Sequence, residues 1–216
     1  MGLLVTGYCH IRNREAVVNG QLLFYQENFL NFADFIKSLY RQEATSYPKF
    51  FKMDRLSKLG FLTAELVLKA SNINKYSAEE VGVVLSNSSS SLDTDIVHQE
   101  SINDPSNYFP SPSVFVYTLP NIVIGEICIK NNFKGENAFF ITEKFDPGLF
   151  LDPVTEMMKR GRIKACLCGW VELMGDKSDS LIVLVEQDGS AEMEGEKTFR
   201  PVPFTGQMLN ELFHRN

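Results

Sequence analysis

Three histidines, four cysteines and one tryptophan are all that 216 residues hold of these types. That scarcity removes several kinds of chemistry. Cys9, Cys128, Cys166 and Cys168 lack the spacing of a secreted disulfide scaffold and fall in apolar stretches. They read as reduced core thiols of a cytoplasmic protein. Cys166 and Cys168 are two apart on a predicted strand and so share one face, but no further ligand pair completes a metal site. Neither a metal nor another cofactor is expected. No apolar run reaches the length of a membrane span, and no basic segment precedes an apolar one as in a secretory leader. Membrane is therefore not an expected partner. Cations are not in excess either. With 21 Lys and Arg against 27 Asp and Glu, the net charge of −6 argues against nucleic acid as the main partner.

What is present is ordinary for a globular chain: 44% hydrophobic and 22% charged residues, enough to build a core without disulfides. Residues 3–11 read as a first strand, followed by a polar turn over 12–15. Phe32, Phe35, Ile36 and Leu39 recur at helical spacing behind a possible cap, Asn31. Asp54 can cap a helix running to about Ala70. Leu56, Leu59, Thr63, Leu66 and Val67 form one stripe of it, while Phe61, Leu62 and Leu68 make the other side apolar too. A helix apolar nearly all round is buried on both sides. Residues 81–85 are a short apolar run of the kind found in buried parallel strands. The serine run and prolines that follow read as loop until a helix begins near Pro120 and runs to about Asn131. Residues 137–143 suit a strand. Asp152 with Pro153 suits the start of a helix ending near Gly161. Two more strands are predicted over 164–173 and 180–187. Strands alternating with helices imply an α/β fold with a mostly parallel mixed sheet around a buried central helix. Residues 1–187 are expected to form the domain, and 188–216 a polar tail ending in a short helix.

Several of these segments, in order, resemble the β-ketoacyl synthases of the thiolase superfamily. Met53-Asp54-Arg55-Leu56-Ser57-Lys58-Leu59 resembles the Met-Asp-Arg-x-Ser-Arg opening of that family's central helix. Val81-Gly82-Val83-Val84-Leu85 resembles the next strand. Pro110-Ser111-Pro112-Ser113-Val114-Phe115 and Tyr117-Thr118-Leu119-Pro120-Asn121 resemble the loop and helix start before the nucleophile strand. Gly125-Glu126-Ile127-Cys128-Ile129 and Gly135-Glu136-Asn137 continue the match, with Glu136 in place of the usual proline. Gly161-Arg162-Ile163-Lys164-Ala165-Cys166-Leu167-Cys168-Gly169-Trp170-Val171-Glu172 resembles the strand Gly-Arg-x-Asp-x-Ala-Leu-x-Gly-Gly-x-Glu. The resemblance covers roughly residues 1–187 and implies one half of the thiolase-like layered fold.

The departures decide what function the resemblance implies. That family's nucleophile strand ends in Ala-Cys-x-x-Gly. Here the stretch is Thr142-Glu143-Lys144-Phe145-Asp146-Pro147-Gly148, so matching Gly148 to the turn glycine puts Phe145 at the cysteine. A phenyl ring cannot form the acyl-enzyme that splits condensation into two steps. The family's thiol also gains thiolate character from a helix N-terminus. Pro147 and Pro153 fall where that helix should begin and run, so the helix is expected to start later here. The residues that drive decarboxylation in the family lie in a second half without counterpart here, and His10, His98 and His214 match none of their motifs. No catalytic residue is assigned.

The resemblance implies two surfaces. Lys130, Lys134, Lys159, Arg160, Arg162 and Lys164 are candidates for docking an acidic acyl carrier protein, against the ordinary alternative of cations at helix C-termini. Phe139, Phe140 and Ile141 lie on the strand that pairs across the two-fold axis in that family, and an apolar sheet edge left bare invites pairing. A homodimer or a heterodimer with a ketosynthase is expected. The serine run could bind an anion at a strand end, although without glycine it reads better as a solvated loop. The reading favoured is a catalytically degenerate, non-catalytic partner or scaffold in a fatty-acid or polyketide pathway of the aryl-polyene kind. The alternatives are half of a split β-ketoacyl-carrier-protein synthase, an acyltransferase active only with its partner, and a module that binds an acyl chain.

Overall fold

Asp54 and the apolar residues after it build the element around which the rest is arranged. The computed structural model describes residues 2–28, 31–43, 46–106, 109–188 and 199–215. In it the central helix, α2, spans Arg55–Lys69. The Asp54 carboxylate accepts a hydrogen bond from the Ser57 amide at 3.0 Å, satisfying one of the donors that a helix start leaves open. Leu56, Leu59, Phe61, Leu62, Ala64, Leu66, Val67 and Leu68 are all buried, so the helix is enclosed as expected. Helix α1 (Phe32–Gln42), capped by Asn31, packs beside it. The turn Pro48–Lys52 adds an aromatic cover: Tyr40 stacks on Phe50 with centroids 4.1 Å apart, and Tyr47 on Phe61 at 5.2 Å.

The strands are β1 (Leu3–Arg12), β2 (Glu15–Val18), β3 (Gln21–Tyr25), β4 (Val81–Asn87), β5 (Asn137–Ile141), β6 (Ala165–Met174), β7 (Lys177–Gln187) and β8 (Val202–Pro203). They form one sheet in the order β3-β2-β1-β7-β6-β4-β5, with β8 on β1. The mixed sheet expected from the sequence is present, but parallel pairing is confined to β5, β4 and β6. The remainder is antiparallel: tight turns link β1 to β2, β2 to β3 and β6 to β7, while β1 and β7 pair across a long separation in the chain. Asn13 and Arg14, then Asn19 and Gly20, have positive φ, the backbone hand that a two-residue hairpin turn requires. Strands β2 and β3 are not among the expected elements, and the Asn19-Gly20 pair is the sequence signal for them.

Alternation along the strands separates two cores. Val83, Leu85 and Leu167 face α2 and helix α5 (Ile122–Asn131), whereas Val84, Cys166 and Cys168 face helices α6 (Gly148–Lys159) and α7 (Gly206–His214). Residues 199–215 belong to this second layer: β8 pairs with β1, and α7 buries Leu209 and Leu212. The polar stretch 189–198 lies outside the described residues.

Helix α6 corrects the expectation of a start at Pro153. It begins at Gly148, with Pro147 as its cap residue, and runs through Pro153. An interior proline costs about 3 kcal/mol. Phe150, Val154 and Met158, at i, i+4 and i+8, are almost fully buried against the sheet. Each such side chain contributes roughly 1.5–3 kcal/mol, which together exceeds the cost. Two short helices, α3 (Leu92–Glu100) and α4 (Pro112–Val116), occupy the stretch read as loop. Only Thr94 is buried in α3 and nothing is buried in α4, so neither leaves a periodic apolar signal.

Candidate functional site

In open α/β sheets ligands bind at the carboxyl ends of the parallel strands. Here that edge carries the segment between β5 and α6, where Phe145 stands. The Thr142 amide donates to the Asn87 carbonyl at 2.9 Å, which ties the segment to the end of β4. Phe145 is half-buried, not free in solvent. Its ring stacks face to face on Phe213 of α7, with centroids 4.1 Å apart and planes 10° from parallel. The edge of Trp170 lies at 6.3 Å and Phe150 at 5.9 Å. The position matched to a nucleophile is therefore the centre of an aromatic cluster, and α7 covers it.

The cluster is fixed from behind. The Arg12 guanidinium lies 4.7 Å from the centre of the Phe213 ring. Arg12 donates from two nitrogens to the Asp179 carboxylate, at 2.9 and 2.7 Å. The His10 ring lies 3.1 Å from the same carboxylate and stacks loosely on Phe213 at 6.2 Å. Burial pushes the Asp179 carboxyl up, but the hydrogen bonds from His10 and Arg12 outweigh it and hold it below the usual carboxylate range. The register of β1 on β7 places Arg12 opposite Asp179 and His10 opposite Leu181. Beside the cluster lies a polar cleft of about 430 Å³ lined by His10, Arg12, Asn13, Glu15, Val17 and Arg215.

No thiol is poised to act. Cys9, Cys166 and Cys168 are fully buried, and that burial pushes each thiol well up, away from the reactive thiolate. The same cause raises the half-buried Cys128. Cys166 and Cys168 do share one face, as spacing required. Among the described residues no three His, Cys, Asp or Glu side chains gather as metal ligands. His214 touches Phe213 edge-on at 5.2 Å, while His98 sits on α3 beside Phe115. Each histidine thus has an aromatic neighbour, His10 in addition to its contact with Asp179.

The serine run does gather an anion, and it is the protein's own. The Ser88 amide, the Ser88 hydroxyl and the Ser89 amide all donate to one oxygen of Glu172, at 2.7, 3.0 and 3.1 Å. Successive amides turned to one point make such a nest without glycine.

The basic residues singled out in the sequence are only partly brought together. Lys134, Arg162 and Lys164 lie at the amino ends of β4, β5 and β6, the sheet end opposite Phe145. Each faces a carboxylate: Lys134 with Glu79 at 4.0 Å, Arg162 with Glu136 at 3.7 Å, Lys164 with Glu80 at 2.5 Å. Lys130 turns to Glu65 on α2 at 3.9 Å. Arg160 pairs within α6 with Glu156 at 2.5 Å, and Lys159 is exposed nearby. Phe139, Phe140 and Ile141 lie on β5, which ends the sheet and pairs only with β4 among the described strands. Phe139 packs toward α2 and Phe140 toward α6, leaving Ile141 58% exposed.

No family model matches the chain, and no curated protein matches it in sequence. Solved structures do. The ishigamide ketosynthase/chain length factor superposes with a TM-score of 0.64 at 17% identity, over 89% of this chain and 64% of that one. The complex AntDE:AntF, a type II polyketide synthase acyl-carrier protein with its ketosynthase bound to the hexaketide, gives 0.65 at 14% identity. It covers 88% of this chain and 63% of the other. The fold is that of the ketosynthases. One chain of a complex of a ketosynthase with its chain length factor, from Xenorhabdus doucetiae, matches over 100% of this chain and 93% of its own, with a TM-score of 0.59 at 12% identity. The chain spans under two thirds of the first two ketosynthase-fold neighbours and nearly all of the third. Among the described residues, no helix is long and apolar enough to cross a membrane.

Proposed function

We propose that this chain is a non-catalytic ketosynthase-like subunit, acting through contact with a full-length ketosynthase in a fatty-acid or polyketide pathway of the aryl-polyene kind. One observation carries this reading: Phe145, which sequence spacing matches to the nucleophile, stacks on Phe213 and packs against Trp170 and Phe150. Acyl transfer by covalent catalysis needs an activated nucleophile beside a base. The fold neighbours that are complexes of a ketosynthase with a chain length factor support a paired mode of action. The edge of β5, unpaired among the described strands, supports the same partner, because a ladder can continue there.

Carrier-protein contact at Lys134, Arg162 and Lys164 is a further part of this proposal, and it requires an acidic partner to displace Glu79, Glu136 and Glu80. The test is intact-protein mass after incubation with malonyl- and acyl-carrier protein, with and without the full-length ketosynthase encoded nearest in its genome. The expected result is an unchanged mass for this chain and a stable complex with the ketosynthase. A covalent acyl adduct on this chain refutes the proposal.

A further inference from the structure

Among the described residues, two glycines lie in helix interiors, where glycine is less stable than alanine because of its backbone entropy. The chain itself explains only one of them. Gly60 on α2 is needed for close packing, since a Cβ there would sit 2.4 Å from a Val123 methyl of α5. Gly125 on α5 faces no other segment: among the described residues, no heavy atom beyond its own helix backbone and chain neighbours lies within 4 Å of where its Cβ would be. Val123 faces α2, and two residues further on a helix is turned by about 200°. Gly125 therefore points away from α2. Ile129, one turn later on the same face, is 65% exposed, so that face is open at both positions.

That face lies beside the open end of the sheet. Helix α2 covers β1, β6 and β7, while α5 packs along α2 and over β4, next to the edge strand β5. A partner strand added to β5 would lie about 4.8 Å beyond it. The helix layer of a partner with this same sheet-and-helix fold would then arrive alongside α5. Packed helices lie about 8–10 Å apart, and the near end of that range requires a residue without a side chain at the crossing. Ile122, Gly125 and Ile129 carry no charge, so the surface suits an apolar helix and not an acidic or basic one.

We infer that the Gly125–Ile129 face of α5 is a helix-packing surface for the ketosynthase-fold partner, continuous with the edge of β5. This rests on the reading that β5 pairs with such a partner. The test measures affinity for the full-length ketosynthase encoded nearest in the genome, together with melting temperature. The variants are Gly125→Leu, Ile129→Lys and, as a control on an exposed helical position elsewhere, Lys37→Leu. Gly125→Leu and Ile129→Lys are expected to weaken binding at least about tenfold with no fall in melting temperature, while Lys37→Leu binds normally. A Gly125→Leu chain that is stable and binds unchanged overturns the surface and leaves the subunit reading standing. Should Gly125→Leu melt lower, Ile129→Lys decides, and retained binding overturns the inference. Failure of the unaltered chain to bind overturns both readings. Self-association that Gly125→Leu abolishes, without ketosynthase binding, overturns the choice of partner.

Discussion

Removing the Phe213 ring should open the position that Phe145 occupies, and the structure fixes how much that costs. Phe213 is half-buried, so it loses about half of the roughly 1.5–3 kcal/mol that full burial of an aromatic contributes. It also loses the stack on Phe145 and the Arg12 contact, each worth about 0.5–1 kcal/mol at a partly exposed site. Arg12 keeps its two bonds to Asp179, so no buried charge is orphaned. The sum for Phe213→Ala is about 2–3 kcal/mol, or roughly 4–12 °C in Tm for a chain of this size. The decisive assay adds Phe145→Cys in a Cys128→Ala background, leaving only buried native thiols. With Phe213 present the new thiol should react slowly with a maleimide. With Phe213→Ala it should react at least about tenfold faster. Equal labelling rates, or a Tm shift under about 2 °C, would refute the claim that Phe213 closes this site.

Glu172→Gln removes the charge to which Ser88 and Ser89 donate, and should cost about 1–2 kcal/mol in urea unfolding. The folded pKa of Asp179 is depressed, so its contribution is complete above the unfolded carboxylate value of about 3.9 and is lost as pH falls through the folded value. Asp179→Asn should therefore flatten the acid arm of the stability profile. Asp54 shifts the other way, raised by burial, so acid relieves its buried charge and Asp54→Asn should steepen that arm. Gly60→Ala should destabilise by about 1–3 kcal/mol through the clash with Val123, whereas Gly125→Ala should be neutral or stabilise by up to about 1 kcal/mol. Thermal melts of the two variants side by side test the contrast.

Legibility in the sequence followed how much of each element's signal was local. Helix α2 was readable because its cap, Asp54, and its all-round apolar surface are written in consecutive residues. The proline in α6 misled because propensity is local, while the burial that overrides it depends on the sheet beneath. Helices α3 and α4 were invisible because they bury almost nothing. Phe145 could be placed by spacing, but its neighbours Phe213, Trp170 and Arg12 come from separate parts of the chain, and no periodicity connects them. The six basic residues looked like one patch because they are close in sequence. Strand direction put three of them at the sheet end away from Phe145, each facing a carboxylate.

The layered α/β architecture, the enclosed central helix and the lack of a sulfur at position 145 are all legible in the residues alone. Residue identity and short-range periodicity carry those facts. Three features appear only once the chain is folded: α7 packs over Phe145, Glu172 fills the serine nest, and Gly125 faces no other described segment. Each depends on which distant segments the sheet brings side by side, and the energy that selects those neighbours is shared across the whole fold.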